Sequence, residues 1–453
     1  MADTLAIVEP GAAELGRRAR KRVGRRSLGV WEPPADRADP IAVLERQAKT
    51  RVPELVPIRY ARMAAGEFPF LRGAPAIMAA DLAASPNTGL TVQLCGDAHL
   101  SNFGLFASPE RALVFDLNDF DETLPGPFEW DVKRLAASIA VAARANGFAD
   151  TDAETAVGAA AMAYREAMIR LSGLGELAVW YEKIDADQLA TLAQKPKRRK
   201  GVEQALAEAR ARTNLQALEK LTEPDVDGVP RIRHRPPLLI PIGEIDAATI
   251  QKVFGEYRRS LAEERRVLLD RHEMLDLAVK VVGVGSVGTR CFVALLAGRM
   301  SGSPLFLQAK EAEQSVLAPH TAASKFRNQG HRVVHGQRLT QAASDIFLGW
   351  ATGTDGRHYY WRQLRDMKGS PVIEEMSRTY LRDYSALCGH TLARAHARSG
   401  DRVAIASYLG SSDTFDRAMI DFAIAYADQT TNDHQTLLTA IESERIVAAT
   451  KAY

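Results

Sequence analysis

Cysteine is scarce. The chain has three among 453 residues, Cys95, Cys291 and Cys388, far apart and odd in number. No disulfide framework and no paired CxxC zinc pattern can be assembled from them, so reduced thiols in a cytosolic compartment are expected. An excess of one charge is also missing. Lys plus Arg number 58 and Asp plus Glu 56, a formal net charge of +2. That argues against recognition of nucleic acid through a strong overall basic field. Long hydrophobic runs are lacking too. The most apolar stretch, Leu277–Gly298, is interrupted by Lys280 and Arg290 and by three glycines, so it does not supply the roughly 18 uninterrupted apolar residues of a membrane span. Met1–Gly16 has no apolar core followed by a small-residue cleavage site. A cytoplasmic protein with no membrane partner is therefore expected.

What is present is an ordinary globular balance. Hydrophobic residues make up 46% and charged residues 25%, enough apolar side chains for a sizeable core. Residues 1–40 read as a basic, flexible N-terminal arm, with Arg17, Arg18, Arg20, Lys21, Arg22, Arg25 and Arg26 ahead of Pro33, Pro34 and Pro40. Residues 41–275 read as a helical lobe that carries short strands around two polar clusters. Within it, "QKPKRRKG" at 194–201 and the stretch 225–237 read as exposed loops. Residues 276–370 are strand-rich, and residues 371–453 return to helix, with Tyr380, Tyr384, Leu387 and Thr391 at three- and four-residue spacing. The predicted class is α+β.

Three polar constellations carry chemistry. In "LCGDAHLSN", Asp97 precedes Asn102 by five positions on a loop after a strand. Phosphoryl transfer uses that spacing: the Asp accepts the proton of the attacking hydroxyl and the Asn amide oxygen binds magnesium. The bland alternative is turn geometry. In "FDLNDFDE", Asp116, Asp119, Asp121 and Glu122 crowd one strand end. Clustered carboxylates repel and require solvent or a hard cation; here the alternative is an acidic surface turn. The third is "VVGVGSVGTRC", with Gly283, Gly285 and Gly288 in G-x-G-x-x-G register around Ser286. In a dinucleotide-binding oxidoreductase a helix would begin near 286. In a kinase the glycines form a hairpin between two strands. The strand-like "RCFVALLAG" and then "SPLFLQAK", ending on Lys310, favour the second. A lysine leaving an apolar strand requires a buried anion.

These parts occur in an unusual order, with the catalytic loop near residue 100 and the glycine segment and lysine near 300. A circular permutation restores the usual order by joining "LARAHARSGD" at the end of the helix 376–398 to "TVQLCGDAHLSN".

From about residue 44 to about residue 440 the chain resembles the bacterial domain-of-unknown-function family 2252. The matching segments include "LVPIRYARM", "FPFLRGA", "LCGDAHLSNFG", "FDLNDFDETLPGPFEWDVKRLAAS", "VVGVGSVGTRC" and "LFLQAKEA". That family in turn resembles the protein-kinase-like superfamily, nearest to aminoglycoside phosphotransferases. The resemblance implies a two-lobed, circularly permuted kinase-like fold that uses ATP and Mg2+ to phosphorylate an unidentified hydroxyl-bearing acceptor. Asp97 would be the catalytic base and Asn102 a metal ligand. Asp119 lies twelve residues before Asp131, the phosphotransferase spacing, so Asp119 would be the main metal ligand, with Asp116 and Asp121 as competitors. Asp131 would brace the catalytic loop from a helix N-terminus, and His99 would give structural support. Gly283, Gly285, Ser286, Gly288 and Lys310 would bind the nucleotide.

No glutamate announces itself as the partner of Lys310. Glu311 and Glu313 are too near in sequence, and "RVVHGQR" offers His335 and Gln337. Two alternatives follow, a non-catalytic nucleotide-binding regulator and a nucleotidyl (AMP) transferase using the same residues. Arg59, Arg62, Arg72, Arg134 and Arg338 are candidates for the substrate pocket or for phosphate contacts.

Overall fold

A computed structural model of the chain describes residues 10–187, 196–242, 247–281, 283–364 and 366–450. In chain order the strands are β1 (Thr91–Leu94), β2 (Phe103–Ala107), β3 (Leu113–Leu117), β4 (Leu124–Pro127), β5 (Ile184–Asp185), β6 (Thr222–Pro224), β7 (Pro230–Ile232), β8 (Leu239–Pro241), β9 (His272–Lys280), β10 (Cys291–Gly298), β11 (Pro304–Glu311), β12 (Gly349–Thr352) and β13 (His358–Gln363). With the helices they make a mixed α+β protein. Among the described residues no helix is long and apolar enough to cross a membrane.

The apolar run 277–298 divides at its glycines into β9 and β10. These belong to a six-stranded antiparallel sheet of order β12-β13-β11-β10-β9-β8. Side chains alternate across a strand, and the sequence exploits it on both faces. Ala294, Leu296, Leu305, Leu307 and Ala309 pack with Tyr257 of the helix Ala247–Ser260. Val293, Leu295 and Phe306 pack with Ala217 of the helix Asn214–Leu221. With apolar partners on both sides, 291–298 is a strand. The helix from about 286 that the oxidoreductase reading required is absent, and that reading is set aside.

The largest core is helical. The helix Phe128–Ala145 is buried from Phe128 to Ala143 and lies among Asp150–Ser172, Arg378–Ala397 and Thr414–Glu442. Small residues permit the close approach: a Cβ on Gly389 would stand 2.1 Å from the Ala160 carbonyl oxygen. Two small antiparallel sheets cap this body. β1 pairs with β4 and β2 with β3, so the loop leaving β1 and the segment joining β3 to β4 emerge side by side.

Three stretches differ from their sequence reading. Within the expected basic arm, residues 1–9 lie outside the described residues, but Pro10–Arg22 is a helix. Arg17 and Arg18 stay on the surface beside Glu14, but three other arginines of this segment meet backbone acceptors. Arg20 Nε donates to the Tyr408 carbonyl at 2.8 Å, Arg25 to that of Leu409, and Arg22 to that of Thr88. Carbonyls at a helix C-terminus lack intrahelical partners, and Arg402–Leu409 ends there. Of the expected loop 194–201, residues 194 and 195 lie outside the described residues and 196–201 open the helix Pro196–Ala211. Residues 225–237 contain β7, paired with β6.

Candidate active site

The loop after β1 turns at Gly96, whose φ is +88°. A Cβ there would stand 2.3 Å from the Glu122 carbonyl oxygen, so glycine is required for the loop to pass the acidic segment. Asp131, at the start of the helix Phe128–Ala145, holds the turn. Its Oδ2 accepts from the Cys95 N–H at 2.7 Å and its Oδ1 from the Gly96 N–H at 3.0 Å. His396 Nε2 lies 3.3 Å from the same carboxylate, and its Nδ1 is 2.8 Å from the Tyr164 hydroxyl.

Asp97 then enters the cleft. Arg134 Nε donates to its Oδ1 at 2.7 Å, and His99 Nε2 is 3.7 Å from its Oδ2. Burial pushes the Asp97 carboxyl up; Arg134 opposes this and neighbouring Asp119 reinforces it. His99 is driven well below its ordinary pKa, first by burial and then by Arg72 and Arg134, so its ring is neutral. Asn102 Nδ2 donates to the Asp97 carbonyl at 2.7 Å, leaving its amide oxygen as the free acceptor.

The β3–β4 segment supplies the acidic wall. Lys310, at the buried end of β11, donates to Asp121 Oδ2 at 2.6 Å and meets both Asp119 oxygens at 3.5 Å. Tyr360 is its register partner on β13 and donates to Asp121 Oδ1 at 2.6 Å. Burial by itself would lower the Lys310 pKa. Asp119 and Asp121 outweigh it and hold the ammonium charged. Conversely, Lys310 and Tyr360 overcome the burial of Asp121 and keep its carboxylate ionised. Arg332, from the helix Gln329–Thr340, clamps the backbone behind: it donates to the carbonyls of Thr123 at 2.6 Å and of Asp121 and Glu313 at 2.9 Å.

A cavity of about 1020 Å3 joins these parts. Asp97, His99, Asn102, Asp119 and Asp121 line it, and so do Gly283, Gly285 and Ser286 across from them. Lys310 stands behind the two aspartates. Ser286 Oγ reaches Asp121 Oδ2 at 3.4 Å. Gly288 is at the base of the turn, with φ +91°, against the Arg51 side chain. Val282, inside the motif, lies outside the described residues.

One expected metal-ligand candidate is placed elsewhere. Asp116 is still within β3 and fully buried. It accepts from Arg394 Nη2 at 2.5 Å and from the Ala342 N–H at 2.8 Å, so it is a core ion pair rather than a cleft ligand. Asp131, expected as a brace, bonds the loop backbone from below. Among the other candidates, Arg59 bonds Gln47 and the Gly73 carbonyl, and Arg338 bonds the Leu348 carbonyl at 2.6 Å; neither lines the cavity. His335 packs on Phe326 and Gln337 bonds Gln341, and neither bonds Lys310. Sequence reasoning missed Tyr360 and Arg332. The aromatic run in "HYYWRQ" signals a strand but does not single out Tyr360, and no local signal marks Arg332 as a site residue.

Asn102, Asp119 and Asp121 are hard oxygen donors on the cleft, a set suited to magnesium rather than zinc. Among the described residues no three His, Cys, Asp or Glu side chains form a ready-made metal cage. A magnesium ion that keeps waters and phosphate oxygens needs only one or two carboxylates from protein.

No curated protein and no solved structure matches the chain. A family model does match, over residues 51–440, and the chain belongs to that family, described as "Uncharacterized protein conserved in bacteria (DUF2252)".

Proposed function

We propose that the chain is an ATP- and Mg2+-dependent phosphotransferase on a circularly permuted, kinase-like arrangement. The observation that carries this reading is the meeting of Lys310 with Asp119 and Asp121 on the cavity that also holds Asp97, Asn102 and the glycine turn. A second observation supports the permutation. The end of the helix Arg378–Ala397 abuts β1: Ser399 Oγ accepts from the Gln93 N–H at 3.1 Å, and a Cβ on Gly400 would stand 2.6 Å from Val92 Cγ1. Those are the two segments whose joining would restore the usual order.

In this reading Asn102 and Asp119 would hold magnesium, and Lys310 with the glycine turn would hold the nucleotide phosphates. Bound ATP supplies the phosphoryl group. Asp97 orients the acceptor hydroxyl and takes its proton through Oδ2, because Arg134 occupies Oδ1. Its raised pKa makes it a better base than an ordinary aspartate. Arg134 and Asp131 fix where that carboxylate points, so the rate gain comes from positioning and preset charge.

The test is Mg2+-dependent nucleotide consumption by the purified protein with a metabolite pool, beside Asp97→Asn, Asp119→Asn and Lys310→Met. Loss of turnover in the variants is expected, and undiminished turnover in all three rejects the reading. Product mass separates phosphate transfer from AMP transfer. Nucleotide binding without turnover would favour a regulator, a reading motivated by the helix Gln329–Thr340, which offers Lys310 no glutamate.

A further inference from the structure

Arg72, near the end of the helix Glu67–Gly73, lines the same cavity as Asp97 and the glycine turn. The arginines around it have acceptors. Arg134 bonds Asp97 and the Leu71 carbonyl, Arg59 bonds the Gly73 carbonyl, and Arg62 bonds the Gly283 carbonyl. Arg72 makes no hydrogen bond and no ion pair among the described residues, and its buried Nε has no partner. Its guanidinium stands over the Phe68 ring at 5.8 Å. Burial lowers its pKa, and the charge of Asp97 offsets only part of that. A largely desolvated cation without a counter-ion is unfavourable.

The backbone holds Arg72 at this place. Arg134 spans from Asp97 Oδ1 to the Leu71 carbonyl, 2.7 Å at each end, which ties the helix to the catalytic loop. On the other side a Cβ on Gly285 would stand 3.2 Å from the Arg72 carbonyl oxygen. The Arg72 backbone is thus fixed between the glycine turn and the loop of Asp97, and its side chain lines the cavity that both share.

We propose that Arg72 is a binding residue for a phosphate-class dianion lying between the glycine turn and Asp97. A planar guanidinium fork matches the oxygens of such a group. The proposal rests on the phosphotransferase reading only for the origin of the dianion, the terminal phosphoryl of the nucleotide or a phosphate on the acceptor.

The experiment compares wild type with Arg72→Gln and Arg72→Lys, all with Mg2+, by calorimetric titration and melting. The probes are ATP, ADP, and inorganic phosphate added with and without ADP. Without ligand, Arg72→Gln should melt at or above wild type, because an unpaired desolvated cation has been removed. Its affinity for the anion should fall about tenfold or more, the loss of one charge-assisted contact. A fall for ATP and not for ADP assigns the terminal phosphoryl. A fall only for inorganic phosphate assigns the acceptor. Arg72→Lys should lose less on the same probe, and it carries the comparison if Arg72→Gln does not fold. Unchanged affinity for every probe overturns the proposal. Wild type that binds phosphate, with the loss in Arg72→Gln, but binds neither nucleotide would sink the phosphotransferase reading and leave the anion site standing. Wild type that binds none of the probes overturns both.

Discussion

The Lys310 ammonium stands 2.6 Å from Asp121 Oδ2, although 189 residues separate the two in sequence. The contact joins the sheet that bears the glycine turn to the acidic segment after β3. Lys310→Met would leave Asp121 and Asp119 facing each other without their cation. Removing one partner of a buried pair costs about 3–5 kcal/mol. The low end, about 3 kcal/mol, is expected here, because the Asp121 and Asp119 side chains are 26% and 31% exposed. Urea unfolding measures it, and a variant as stable as wild type would mean that the pair contributes nothing to the fold.

Glu122 lines the cavity beside Asp121 and accepts from the Val316 N–H at 2.7 Å. Burial pushes its carboxyl up to about 7, against the pull of that hydrogen bond and of Arg332, from an ordinary value of 4.5. Between those two values the native chain keeps a proton that the unfolded chain has released. Stability therefore falls as pH rises from 4.5 to about 7 and levels off above. The full shift corresponds to about 3 kcal/mol, reduced in practice because Glu122 is only partly buried. Glu122→Gln keeps an acceptor for Val316 and removes the titration. Melting curves of the two proteins should nearly coincide near the acid end of that window and separate above its upper end, with the variant more stable. Parallel pH profiles would contradict this.

The pieces that could be read from sequence are those encoded within a few residues. Asp97 and Asn102 share one loop, Asp119 and Asp121 share one strand end, and the glycines separate two apolar strands; the cavity is lined by the four polar residues and by Gly283 and Gly285. What could not be read depends on partners far along the chain. Asp116 differs from Asp119 only by lying three residues earlier, but β3 has not ended there and Arg394 comes to meet it. Tyr360 reaches Asp121 because β11 and β13 pair in one register. Nothing local in either segment states that register. The arginines of the N-terminal segment read as solvated because charged runs usually are; Arg17 and Arg18 do lie exposed beside Glu14, but the carbonyl acceptors of Arg20, Arg22 and Arg25 lie beyond residue 400 or at residue 88.

Arg37 gives that terminal region a measurable consequence. It donates to both oxygens of Asp81 at 2.8 and 2.9 Å and to both of Asp433 at 2.8 and 2.6 Å. The two aspartates are 4% and 6% exposed. Arg37→Ala would leave both without their cation, at a cost of roughly 3–5 kcal/mol. Denaturant unfolding should show that loss, and an unchanged midpoint would return residues 30–40 to the status of a loose arm.

Asp116 and Asp119 should separate cleanly when each is changed to asparagine. Asp116 and Arg394 are both fully buried, and Nε and Nη1 of Arg394 have no acceptor among the described residues. Asp116→Asn withdraws the one counter-charge bonded to that guanidinium, so a loss of roughly 3–5 kcal/mol is expected. Because Asp116 lies off the cavity, the Mg2+ concentration that half-stabilises the protein with ATP should not move. Asp119 is the reverse case. It is partly exposed and meets Lys310 at 3.5 Å, a long contact worth about 1 kcal/mol or less. Asp119→Asn should melt close to wild type and lose the Mg2+-dependent stabilisation by ATP. Differential scanning fluorimetry across a Mg2+ titration reads both effects in one experiment. If Asp116→Asn lost the metal response while Asp119→Asn kept it, the two carboxylates would exchange roles, and the cleft as drawn from Asp97 to Lys310 would not be where the cation binds.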